Sequence, residues 1–234
     1  IQRLVTSNPT PGYISRVAAV FADNGQGERG DMGAVIKAIL MDPEARTCSA
    51  LEEDRFGKLR EPFTRYTHFS KAIQMEQYYG RYWNVAYGFY QATNQMPLAS
   101  RTVFNFFLPD FQPIGAIADN GLVGPEFQIH NSRTSIEFIN RVNDWAVWGY
   151  VMDDWEAENP SVTYNIDELT PLARDPEVLI NRLDVLFTHG MLSDRTRQII
   201  KDAITPMISE DYRNDRTRLA MYLIMISPDY AIMK

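Results

Sequence analysis

The sequence is poor in the residues on which most catalytic and binding chemistries depend. It has one cysteine, Cys48, so no disulfide can form within the chain. No His and Asn/Asp pattern accompanies Cys48, and it reads as a small, partly buried side chain rather than a nucleophile. There are three histidines, His68, His130 and His189, and no two stand at the spacing of helical zinc ligands. Neither a metal nor a cofactor is expected. Positive charge is also short: 23 Lys and Arg against 30 Asp and Glu give a net charge of −7. Such a surface repels a phosphate backbone, which argues against nucleic acid as a partner. The longest apolar run is Leu219 to Ile226, well below the ~20 residues of a membrane helix, so no span is expected. The G-x-S-x-G nucleophile elbow and the H-E-x-x-H zinc motif are both missing.

Some motifs match in letters but not in context. Gly25-Gln26-Gly27-Glu28-Arg29-Gly30 spells the dinucleotide-binding pattern. That chemistry needs a strand before the glycines, whereas an amphipathic helix precedes them here, so they read as a helix–helix connection. As a calcium loop starting at Asp23, the segment places Gly25, Gly27 and Ala34 where oxygen ligands are required. The acidic run from Asp153 to Glu158 reads as a solvated turn. The aromatics between Tyr78 and Tyr90 read as core with hydroxyl ends reaching water, the alternative being a stacking platform for sugars.

What is present is helical periodicity. Thr10-Pro11 predicts a helix start, with Ile14, Val17, Ala18 and Phe21 as its apolar stripe and Asp23-Asn24-Gly25 as its end. Asp31 caps a second helix lined by Val35, Ile36, Ile39 and Leu40, stopped at Asp42-Pro43. A third follows Glu61-Pro62 with Phe63, Tyr66, Phe69, Ala72 and Ile73 on one side. A long one spans about Ser132 to Met152. Three more close the chain, starting at Asp175-Pro176, at Ser193, and ahead of Leu219. Val162 to Ile166 reads as a short extended segment. Ile1 to Val5 reads as the end of a helix already under way, which suggests a C-terminal fragment of a larger protein. The expected fold is all-α: a roughly eight-helix orthogonal array forming one domain over residues 1–234.

Residues 94–131 differ. They carry four prolines, Pro97, Pro109, Pro113 and Pro125, and read as a loop excursion with one short helix over Val103 to Leu108. Long loops inside compact domains are uncommon and tend to be functional. This one also carries Phe104, Phe106, Phe107, Phe111, Leu122 and Phe127, whose burial is worth about 1.5–3 kcal/mol each. It is therefore expected to be ordered and to pack on the helices. Within it, Asn105 and Glu126 sit among apolar neighbours and need partners, and Arg60 is the cation proposed for Glu126. The candidate binding residues are Arg60, Glu61, Asn105, Glu126 and His130; catalytic residues are not assignable.

Three segments carry a family resemblance: Lys58-Leu59-Arg60-Glu61-Pro62; Ser100 through Pro113, with Arg101-Thr102-Val103-Phe104-Asn105-Phe106-Phe107-Leu108; and Gly121-Leu122-Val123-Gly124-Pro125-Glu126-Phe127-Gln128. With the ending Tyr222 to Tyr230 they resemble the C-terminal part of the bacterial family called domain of unknown function 1800. The resemblance implies a helical protein, often part of a large exported one, with a periplasmic or secreted setting. It implies no activity, so no catalytic residue carries over. The function expected is a non-enzymatic binding or assembly module, with another protein or a polysaccharide as partner. The alternative is a hydrolase of envelope polymers using carboxylates of the excursion.

Overall fold

The structure is a computed structural model that describes residues 1–47, 55–77, 87–100, 102–149, 162–207 and 209–234. Cys48, Arg101, Tyr78 through Asn84 and the acidic run Asp153–Glu158 lie outside the described residues. In chain order the elements are α1 (Pro11–Ala22), α2 (Met32–Met41), α3 (Pro43–Arg46), β1 (Lys58–Leu59), α4 (Pro62–Ala72), β2 (Glu76–Gln77) and α5 (Tyr87–Thr93). Then come α6 (Ala116–Asp119), a 3-10 turn (Pro125–Ile129), α7 (Ser132–Val142), β3 (Val162–Thr163) and a second 3-10 turn (Thr170–Arg174). The chain ends with α8 (Pro176–Thr188), α9 (Asp194–Ile204), α10 (Arg213–Met225), α11 (Pro228–Ala231) and β4 (Ile232–Met233). Helix dominates; among the described residues the sheet is limited to two antiparallel two-residue pairs, β1 with β4 and β2 with β3.

The helix starts follow the sequence signals. Thr10 Oγ1 accepts the Tyr13 amide, Asp31 accepts that of Ala34, and Ser193 that of Thr196. Two expectations need correction. Val103 to Leu108 is not a helix. Asn105 sits at φ 65°, and the Thr102 hydroxyl takes the Phe104 amide, so side-chain bonding competes with the helical ladder. The long helix leaves α geometry at Asn143, runs as a wider π-type turn to Trp148, and stops at Gly149 with φ 73°.

The chain forms two compact units. Unit 1 comprises Ile1–Leu59, Phe107–Gln128 and Ile232–Lys234; unit 2 comprises Arg60–Phe106 and Ile129–Ala231. In unit 1, α1 and α2 are antiparallel. The Tyr13 hydroxyl near the start of α1 donates to the Ile39 carbonyl near the end of α2. Arg16 grips Asp42 at 2.8 Å through two nitrogens. Between the helices, the Asp23 carboxylate accepts the amides of Gly25 (2.8 Å) and Gly27 (2.9 Å). The amides of Gln26 and Glu28 go to the Asn24 side-chain oxygen, so the glycine-rich loop is an ordered turn whose donors are spent on the protein's own side chains. The core here is small: Val5, Tyr13, Val17, Val35 and Ile39.

The 107–128 part of the excursion is ordered within unit 1, and several of its bonded partners come from the N-terminal segment. Asn8 takes both polar groups of Val123 at 2.9 Å, Gln2 donates to the Pro109 carbonyl, and Arg3 donates to that of Phe107 while covering its ring. Of the excursion's aromatics only Phe107 is fully buried; Phe104 is 49% exposed. Unit 2 has a continuous core of Tyr66, Phe69, Phe138, Trp145, Leu183, Phe187, Ile200, Met221, Tyr230 and their neighbours. Buried Arg216 is satisfied by three carbonyls, of Ala173, Met207 and Ser209.

Candidate functional site

Glu61 and Asn105 are brought together in unit 2. Glu61 stands just ahead of α4, and its Oε2 accepts Asn105 Nδ2 at 3.3 Å and Gln95 Nε2 at 2.5 Å. Gln95 in turn accepts the Phe63 amide. The carboxylate therefore orders the start of the excursion through neutral amides. Asn105 reaches it because its left-handed backbone turns the side chain back.

Arg60 has a different environment. It is buried, its guanidinium lies 4.9 Å from the Tyr230 ring, and Nη1 stands 3.2 Å from His68 Nδ1. A guanidinium only donates, so His68 Nδ1 accepts and the imidazole is the neutral Nε2–H tautomer. Burial, then Arg60 and His189, lower the His68 pKa to about 4. The His189 ring meets it edge-on at 5.4 Å. Beside this group, Arg65 donates Nε to the Arg60 carbonyl, and Tyr230 donates its hydroxyl to the Arg65 carbonyl at 2.6 Å. Arg65 is buried over Phe138, and burial lowers its pKa to about 10. His130 lies half-buried with Ser135 Oγ 3.3 Å from its Nε2; burial, then Arg65, lowers its pKa. This aromatic and cationic group clasps α11 to α4. Arg65 and Tyr230 alone stand 165 residues apart, and no spacing rule could have gathered the group.

Glu126 belongs to unit 1, and its cation is Lys58, not Arg60. Lys58 Nζ stands 2.9 Å from Glu126 Oε1, Arg3 Nη1 stands 3.9 Å away, and both Lys58 and Glu126 are buried. Lys58 also donates to the Arg3 carbonyl at 2.9 Å. The pair fixes the Pro125–Ile129 turn to β1. The chain matches the family model described as a protein of unknown function, DUF1800, over residues 1–232. The chain belongs to the DUF1800 family. No curated protein and no solved structure matches it.

The feature of this DUF1800 chain that periodicity did not separate is a second apolar face on the α1–α2 hairpin. Tyr13, Val17, Val35 and Ile39 face inward. Ile14, Phe21, Met32, Ile36 and Leu40 are each 42–56% exposed. Ile14 and Phe21 lie seven residues apart, and Met32, Ile36 and Leu40 four apart, so each set forms one stripe. In an antiparallel pair, residues rotated by the same angle from the contact line lie on the same side of the pair. The positions following Tyr13 and Val17, and those following Val35 and Ile39, therefore share one face. Its rim carries Arg29, whose guanidinium lies 5.7 Å from the Phe21 ring, and exposed Lys37.

Proposed function

We propose that this chain is a non-enzymatic binding and assembly module, and that the exposed face of the α1–α2 hairpin receives an amphipathic helix of a partner protein. The observation that carries this is the stripe of Ile14, Phe21, Met32, Ile36 and Leu40 held open to solvent on a capped, well-bonded hairpin. Contiguous exposed apolar patches mark interaction sites, and a furrow between two helices suits a helix with anchors at i, i+4 and i+7. Charge favours one occupant. Arg29 and Lys37 are rim cations open to the acidic groups of a partner, whereas two copies of this chain would each bring a net charge of −7 to the interface. A helix with acidic flanks pairs with that rim. The partner is thus a protein, and an exported bacterial setting follows from the family resemblance.

Hydrolysis of envelope polymers gains no support from the candidate carboxylates. Glu61 is held by two amides and Glu126 lies buried beside Lys58.

A photo-crosslinker placed at Ile36 in the native host tests the proposal. Mass spectrometry should identify a peptide that is amphipathic and acid-flanked. The synthetic peptide should then bind the chain by fluorescence anisotropy, and bind at least tenfold more weakly to Ile36→Asp. Crosslinks confined to a second copy, binding to lipid vesicles in place of peptide, or binding unchanged by Ile36→Asp would overturn it.

A further inference from the structure

Unit 2 contains a polar cleft of about 370 Å³ lined by Gln74, Tyr164, Asn165, Ile166, Asp167, Asn214 and Arg218. That volume lies in the lower part of the ~300–1,000 Å³ range of small-molecule sites. The chemistry of its wall is specific. Asn165 Oδ1 accepts the Asp167 amide at 2.7 Å, and Asn214 Oδ1 accepts the Thr170 hydroxyl at 2.8 Å. Both oxygens are thereby engaged, and among the described residues neither amide N–H group has a partner. Arg218 is anchored through Nη1 to the Val147 carbonyl at 2.6 Å and rests 5.6 Å from the Tyr164 ring, and among the described residues its other donors are uncommitted. Tyr164 is itself fixed by its hydroxyl, which donates to the Ala146 carbonyl at 3.0 Å. The Asp167 carboxylate and the Gln74 carboxamide line the cleft and supply its acceptors.

The end of α4 places Gln74 at the cleft. It has φ 48° as the left-handed residue of the helix stop, where the Met75 amide donates to the Ser70 carbonyl at 2.9 Å and the Gln74 amide to that of Lys71 at 3.3 Å. A glutamine adopts that conformation at a cost that a glycine does not.

We infer that this cleft binds a neutral, hydroxyl-rich ligand of one or two sugar rings. Sugar hydroxyls both donate and accept, so they need a wall that mixes a carboxylate with amide and guanidinium donors. Asp167 and Arg218 are the charged residues of the lining, so its formal charge is zero, which suits a neutral ligand. The ring of Tyr164 is already covered by Arg218, so recognition here is by hydrogen bonds and not by stacking. The cleft is independent of the α1–α2 face, and either can fail without the other.

Saturation-transfer difference NMR with cellobiose, maltose and N,N′-diacetylchitobiose tests this, with glucuronate and glutamine as controls. At least one neutral disaccharide should show transfer, and Asp167→Ala should weaken it about tenfold or more, the loss expected for a hydrogen bond to a charged group. Gln74→Gly should abolish much of the signal while raising the melting temperature, because glycine relieves the left-handed strain. That pairing separates lost binding from lost fold. Ile36→Asp should leave the sugar signal unchanged. No transfer from any of the three disaccharides, transfer only from glucuronate or glutamine, or transfer indifferent to both cleft variants would overturn the inference.

Discussion

The α1–α2 hairpin and the α8–α10 region of unit 2 use apolar residues in opposite ways. Helix α9 carries five charged side chains in eleven residues, buries Ile200 and Ile204 against the core and leaves one large apolar side chain, Ile199, exposed. Helix α2 carries one charged side chain in ten and still leaves Met32, Ile36 and Leu40 in solvent. In α9 the polar residues specify which face turns outward. In α2 nothing polar makes that choice, so a helix that is apolar nearly all round has one face for its own core and a second to spare. A well-packed core and an exposed interface are written with the same residues, and substitution is what tells them apart.

The largest effect is expected where the unit 2 core is densest. Phe69 is fully buried, with Trp145, Tyr164 and Phe187 each 6.2–6.3 Å away centroid to centroid. Phe69→Ala should lower the unfolding free energy by about 3–5 kcal/mol, read from the urea midpoint at constant slope. A loss below 1 kcal/mol would mean that this core relaxes as freely as a surface and would erase the contrast.

A somewhat smaller effect is expected at the buried ion pair of unit 1. Glu126→Gln leaves the Lys58 ammonium buried beside a neutral group, at a cost of about 2–3 kcal/mol. Pairing it with Lys58→Met should return much of the loss, because two apolar or neutral groups need no mutual compensation. If the double variant is no more stable than Glu126→Gln alone, the pair is not what holds the Pro125–Ile129 turn.

Those residues also show where sequence was legible and where it was not. Caps and stops fixed the starts of α1, α2, α8 and α9, because each depends on one side chain reaching an amide two or three residues away. The need of Glu126 for a cation was readable from its apolar neighbours. Its identity was not. Lys58 opens the two-residue strand β1 and Arg60 follows it, but the chain leaves β1 at Leu59 and turns through Glu61-Pro62 into α4. Arg60 is carried away to His68 and Tyr230. The pairing of Glu61 with Asn105 joined two candidate residues without being foreseen, since it depends on a left-handed asparagine in a segment that read as helix.

A third effect is pH-dependent and belongs to unit 2. The folded pKa of His68 lies near 4, below its unfolded value of about 6.5. Above pH 6.5 both states are neutral and the full stability is present. As pH falls from 6.5 toward 4, the unfolded chain takes a proton that the folded one refuses, so stability declines across that window. Melting temperatures between pH 7.5 and 5 should fall, with a slope below that of one proton for this residue. His68→Gln should flatten the decline, and an unaltered slope would show that His68 is not its source. Half-buried His130, whose pKa is also lowered, contributes in the same direction and is the residue to change next.

The smallest effect on stability is expected at the exposed hairpin face, and its smallness is what makes it diagnostic. Ile36 is 45% exposed, while its neighbour Val35 is 7% exposed and faces the α1–α2 core. Truncating Ile36 to alanine removes surface of which nearly half is already in water, so the change should stay within about 0.5–1 kcal/mol. Val35→Ala, one residue away on the same helix, removes methyl groups from a core of only five residues and should cost more than twice as much. The two positions share helix propensity, helix position and distance from the caps to within one residue, so the difference between them isolates burial. Ile36→Asp sharpens the test, since a charge at a solvent-facing position should be tolerated with little change in melting temperature and should improve solubility at high concentration. If Ile36→Asp instead unfolds the hairpin, seen as loss of protection of the α1 and α2 amides in hydrogen exchange, the face is structural, and the docking proposal loses the surface on which it stands.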